Sequence, residues 1–138
     1  MNPSFAAPLC AVDDMRHTVQ DGKLIVHARK KITEADPYMV AHFPGRTIYP
    51  GVFILETVRQ AVVAALGERG GALADVTAVR SLRFTGAMHP GEELVVTAAL
   101  GNSEPDGTVS ADADCRRADG SAVARLVLEF RYPAGVDE

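Results

Sequence analysis

At 138 residues, 47% apolar and 23% charged, the chain is suited to a single domain with a substantial core and is excluded from the disordered class. A net charge of −4, with no block of like charges, excludes a general nucleic-acid surface. The opening MNPSFAAPLCAVDD has neither a basic start nor a sustained apolar run, so no secretory leader is expected. Cys10 and Cys115 show no metal spacing and no disulfide framework. They read as free thiols in a reducing compartment, and the expected location is cytoplasmic.

The first predicted element is residues 23–32, KLIVHARKKI. Leu24, Val26, Ala28 and Ile32 alternate there with Ile25, His27, Arg29 and Lys31, the pattern of a half-buried strand. Pro37 forces an extended or turn conformation before it, and Pro44, Gly45 and Pro50 punctuate a long loop. Gly51 to about Leu66 then reads as a helix of roughly 24 Å, with Pro50 tolerated at its start and Gly67, Gly70 and Gly71 closing it. Its apolar run is interrupted by Glu56, Arg59 and Gln60, which excludes a membrane span. Four strands follow: Val76–Thr85, Glu93–Leu100, Thr108–Arg116 and Ala122–Tyr132. The separators GAMHPG, GNSEPDG and RADG are rich in turn residues. No internal repeat or linker is visible, so residues 1–138 are taken as one domain, with about fifteen N-terminal and six C-terminal residues peripheral. A helix apolar nearly all round must be enclosed, and one helix wrapped by a curved antiparallel sheet does so economically. The predicted class is α+β.

The stretch HFPGRTIYPGVFILETVRQA, residues 42–61, puts a loop histidine ahead of a carboxylate inside that apolar helix. His42-Phe43-Pro44-Gly45-Arg46, then Pro50-Gly51-Val52, then Glu56 and Gln60-Ala61, resembles the signature of the β-hydroxyacyl-acyl-carrier-protein dehydratases. Val79–Phe84, followed by His89-Pro90-Gly91-Glu92, resembles that family's next strand and turn, and the likeness covers about residues 20–132. It implies a hot-dog fold: one long central helix wrapped by a curved antiparallel sheet of about five or six strands. It implies a dimer with sheets joined edge to edge, formed with itself or with a paralogue. Two active sites would lie at the interface, each pairing His42 of one subunit with Glu56 of the other. The implied substrate is a 3-hydroxyacyl chain on the phosphopantetheine arm of an acyl carrier protein, in fatty acid or polyketide synthesis. No cofactor, metal, nucleic acid or membrane is called for. Phe43, Ile48, Tyr49 and Phe53 are candidates to line the acyl tunnel, with an ordinary core role as the alternative.

The chemistry can be argued from the residue types. Loss of water from a 3-hydroxyacyl thioester needs a base for the C2 proton and an acid for the leaving hydroxyl. A neutral imidazole suits the base, which assigns His42. A carboxylic acid kept protonated by apolar surroundings suits the acid or can hold the departing water, which assigns Glu56. The Gly51 N–H at the helix start suits the thioester oxygen. Gln60, one turn beyond Glu56, is placed to orient it. Gly51 as a plain turn residue and Gln60 as a satisfied core amide are the competing readings. His17, His27 and His89 have no carboxylate at a fixed spacing and read as structural or exposed. Arg80 and Arg83, with Arg116 and Arg117 as further candidates, would dock an acidic carrier protein. Two positions depart from the family pattern: Thr47, and Arg59 at a helix position usually small or apolar. A guanidinium reaching Glu56 of its own chain would lower the carboxyl pKa and weaken the acid role. Thioester hydrolysis on the same fold, and a catalytically silent partner subunit, are the alternative functions.

Overall fold

The computed structural model describes residues 11–33, 51–70 and 74–131. The chain enters through a hairpin of β1 (Asp14–Gln20) and β2 (Lys23–Lys31). Its two-residue loop, Asp21–Gly22, has φ of 53° and 77°; positive values at both central positions match the right-handed twist of the flanking strands. β1 was not anticipated from the sequence. Its partly buried positions are Met15 and His17, too weak an apolar alternation to mark a strand, and the Asp-Gly pair was the available signal.

Helix α1 (Gly51–Gly70) has 20 residues, about 30 Å at 1.5 Å per residue. It runs past the expected stop at Leu66, because Gly67 lies within the helix with nothing near its Cβ direction; a glycine there weakens a helix without ending it. β3 (Asp75–Phe84), β4 (Glu93–Leu100), β5 (Thr108–Arg117) and β6 (Ala122–Arg131) complete the order, within a residue of the expected limits.

The six strands form one antiparallel sheet in the order β1-β2-β4-β5-β6-β3. β4, β5 and β6 are a meander. β3 follows the helix and lands on the far side of β6 as an edge strand, its register broken by irregularities between Val76 and Ala78 and between Val79 and Ser81.

Alternation decides what is buried. Val26 and Ala28 on β2, Leu94, Val96, Ala98 and Leu100 on β4, and Leu126, Leu128 and Phe130 on β6 turn inward. They meet Ile54, Val58, Ala61, Val62 and Ala65 of α1, all buried. The spacing of those five is that of one helix stripe. The described sheet buries that stripe of the helix most deeply; away from it Val52 is 63% exposed, and Phe53, Leu55, Glu56 and Arg59 are half-buried. Cys115 is a buried free thiol, pushed up to about 12 by burial and then by Asp114. Among the described residues no helix is long and apolar enough to cross a membrane.

Candidate active site

Glu56 lies on the open side of α1, in its second turn, where the helix advances toward the edge strand β3. Two neighbours on the same helix face reach it, as residues three and four apart do. Arg59 Nε donates to Glu56 Oε1 at 2.8 Å and Arg59 Nη2 donates to Oε2 at 2.7 Å. Gln60 Nε2 donates to Oε2 at 2.8 Å. The orienting bond expected of Gln60 is thus present. Its other amide atom, Oε1, accepts the Ala11 N–H at 3.1 Å, which fixes the amide against the segment entering β1. On the far side of the guanidinium, Arg59 Nη1 donates to Asp75 Oδ1 at 3.2 Å, and that oxygen also accepts the Val76 N–H at 2.7 Å.

The Arg59 hydrogen bonds hold the Glu56 carboxyl below its ordinary range; burial pushes the other way and is outweighed, and Gln60 with the Arg59 charge adds to the lowering. The Arg59 guanidinium is raised in turn, first by its bonds to Glu56. The expectation that apolar surroundings keep Glu56 protonated is therefore corrected: a fork of charged N–H groups favours the anion, and the Glu56 and Arg59 side chains retain 27% and 29% of their exposure.

Gly51 opens the helix, with no acidic residue in the first turn, where N–H groups have no intrahelical acceptor. A Cβ at Gly51 would come within 2.8 Å of the Phe84 ring, so close approach to the end of β3 requires glycine there whatever else its N–H does. Phe53 packs partly against the core, and its carbonyl accepts the Thr57 hydroxyl at 3.1 Å. His42, Phe43, Ile48 and Tyr49 lie outside the described residues, as does Thr47.

The basic candidates are not all unengaged. Arg80 meets Glu129 at 3.1 Å. Arg116 binds Asp114 at 2.8 Å, and Arg117 meets Glu92 at 3.3 Å and donates to the Ala87 carbonyl. Arg83 is exposed on β3 across from Arg125. Two of the histidines read as structural or exposed have carboxylate neighbours in the fold: His17 Nε2 is 2.9 Å from Glu68, and His89 Nδ1 is 3.4 Å from Glu92. Among the described residues no group of three or more His, Cys, Asp or Glu side chains has metal-binding geometry. Asp75 was missed by the sequence reading. It lies sixteen residues beyond Arg59, and only the return of the chain into β3 brings them together.

Among the described residues, one helix lies against a six-stranded antiparallel sheet, the arrangement of a hot-dog fold. The solved fluoroacetyl-CoA thioesterase FlK shares the fold with a TM-score of 0.66, at 17% identity over 79% of this chain and 84% of that one. The dehydratase heterocomplex ApeI:P from Xenorhabdus doucetiae does so with a TM-score of 0.70, at 19% identity over 95% of this chain and 88% of its own. At such identities the likeness is one of fold alone. Residues 6–126 match the FabA-like domain, and the chain belongs to that family. It is 33% identical over 122 residues to the 3-hydroxyacyl-[acyl-carrier-protein] dehydratase FabZ of Chlamydia abortus, covering 85% of this chain and 77% of the relative. It is 39% identical over 77 residues to the FabZ of Thermus thermophilus, covering 53% of this chain. The chain spans about half the length of that second relative, 54%.

Proposed function

We propose that this chain is a (3R)-3-hydroxyacyl-[acyl-carrier-protein] dehydratase, eliminating water to give a trans-2-enoyl thioester in fatty acid or polyketide synthesis. The observation that carries the reading is the Glu56 carboxyl, oriented by Gln60 on the open side of α1, within a segment similar to the FabZ dehydratases along most of the chain. His42 takes the C2 proton, Glu56 holds the hydroxyl that leaves C3, and the Gly51 N–H receives the negative charge that develops on the thioester oxygen. Phe43, Ile48, Tyr49 and Phe53 line the acyl path. No cofactor takes part.

The site is shared between two copies. Supporting this, β3 is an edge strand whose Val79, Leu82 and Phe84 are 49%, 44% and 43% exposed, with Val52 of α1 nearby in the fold and more exposed still. A second copy joining there covers apolar surface and the open side of the helix together. Arg80 and Arg83 on the same strand face the acidic carrier protein, Arg80 exchanging its Glu129 contact for the partner's.

The deciding assay incubates the protein with a 3-hydroxyacyl thioester. Enoyl absorbance without free thiol supports dehydration. Mixed His42→Ala and Glu56→Ala chains should regain part of the activity after subunit exchange, and no recovery despite exchange would sink the shared site. A second reading, thioester hydrolysis, is favoured by one observation: Glu56 is held as an anion, the state that activates water. Release of free thiol would establish it instead.

A further inference from the structure

We propose that Arg59 is a positioning residue of this site: its guanidinium fork, braced by Asp75 on β3, fixes the Glu56 carboxyl as an oriented anion, so that Glu56 acts as a hydrogen-bond acceptor and not as the proton donor. The inference rests on the dehydratase reading and assigns a role within it.

The first argument is the count of donors. Both carboxyl oxygens accept from Arg59, at 2.8 and 2.7 Å, and Oε2 accepts from Gln60 as well. A protonated carboxyl would turn one oxygen into a donor facing N–H groups that can only donate. The pattern therefore favours the carboxylate. Separate bonds from Nε and Nη2 also fix the plane of the group, which a single ammonium cannot do.

The second argument is the bracing. An exposed pair three residues apart on a helix is ordinarily loose and weak. Here each end is tied to another element. Asp75 holds Nη1 from β3 and is itself held by the Val76 N–H, while Gln60 is held by the Ala11 N–H. One carboxyl is thus positioned from the segment before β1, from α1 and from the edge strand. Among the described residues, the charged groups involved are Arg59 on its own helix and, behind it, Asp75 on β3. β1, β2 and β4 also pack on α1 and bring no charge to this carboxyl; His17 of β1 is engaged with Glu68 at the other end of the helix.

The proton balance follows. The C2–H bond breaks and its electron pair forms the C2–C3 double bond. The C3–O bond breaks and the hydroxyl leaves with the electron pair. The proton taken from C2 by the base is the one returned to the leaving hydroxide, giving water and the base in its starting state. Glu56 accepts a hydrogen bond from the departing hydroxyl throughout and neither gains nor loses a proton.

The test has an arm that needs no turnover. With glutamate labelled at the side-chain carboxyl with 13C, and the Glu56 signal assigned by its loss in Glu56→Gln, the carboxyl is titrated by NMR in wild type, Arg59→Leu, Arg59→Lys and Asp75→Asn. The expected result is a wild-type midpoint below the ordinary glutamate value of about 4.3, raised in Arg59→Leu and partly restored in Arg59→Lys. Asp75→Asn, which keeps an oxygen to accept from Nη1, should stay nearer wild type than Arg59→Leu does. A midpoint that Arg59→Leu leaves in place overturns the proposal. In the kinetic arm, kcat of Arg59→Leu should fall by up to about 100-fold through loss of orientation, with a smaller change in KM and partial rescue by Arg59→Lys. A rise in kcat in Arg59→Leu would identify Glu56 as a donor that Arg59 restrains, and would also overturn it. Absence of enoyl product from wild type sinks the dehydratase reading while the titration still decides the clamp.

Discussion

The two sides of helix α1 differ in what they are built to do. One carries Ile54, Val58, Ala61, Val62 and Ala65, each 2% exposed or less. The other carries Val52, which is exposed, and Glu56 and Arg59, which keep part of their surface open. On the buried side, side chains are interchangeable within volume, because dispersion and water exclusion are non-directional. On the open side, identity and geometry matter, since a carboxylate, a guanidinium and an amide must meet at hydrogen-bond distance. One helix thus separates stability from chemistry by a rotation about its axis.

That separation can be broken in several ways. The largest effect is expected in turnover: Glu56→Ala and His42→Ala should each lower kcat by about 10²–10⁴-fold while thermal unfolding stays near the wild-type midpoint. A large loss of stability in Glu56→Ala would show that the open side also holds the fold. Next is the buried side. Ile54→Ala should cost about 2–5 kcal/mol in urea unfolding, and at temperatures where the variant remains folded its pH profile should match wild type.

Gly51 sits where the two sides meet the end of β3. Gly51→Ala should cost on the order of 1 kcal/mol through contact with the Phe84 ring, and most of that cost should vanish in a Phe84→Ala background. A cost unchanged by Phe84→Ala would assign the glycine to backbone conformation instead.

The smallest effect is electrostatic. The folded-state pKa of Glu56 lies below its unfolded value, so its contribution to stability is present above the unfolded value and is lost as pH falls through the folded one. Glu56 keeps enough solvent for that contribution to resemble a surface pair, about 1 kcal/mol or less. Arg59→Leu should lower the neutral plateau by that amount, leave stability below the folded-state pKa little changed, and so flatten the acid side of the profile.

Much of this was legible from spacing. Alternation in β2 and β6, and the turn-rich separators around β4 and β5, placed those strands within a residue or two of their observed limits, because a strand with one buried face must alternate and must end in a turn. The pairing of Gln60 with Glu56 was legible for a similar reason, as residues four apart share a helix face. The Arg59 contact was foreseen as a possible conflict with the acid role, and the structure decides it in favour of contact. β1 was overlooked because a polar edge strand shows little alternation. His17–Glu68 and Arg59–Asp75 left no trace in the sequence, since nothing local constrains residues brought together by sheet topology.

The sequence by itself determined the family, the strand-and-helix order and the two residue types available for proton handling, because periodicity and motif spacing are local properties. Only the tertiary structure decided how the donors to Glu56 are braced. Asp75, which holds its principal donor Arg59, arrives from a strand the chain reaches after leaving the helix.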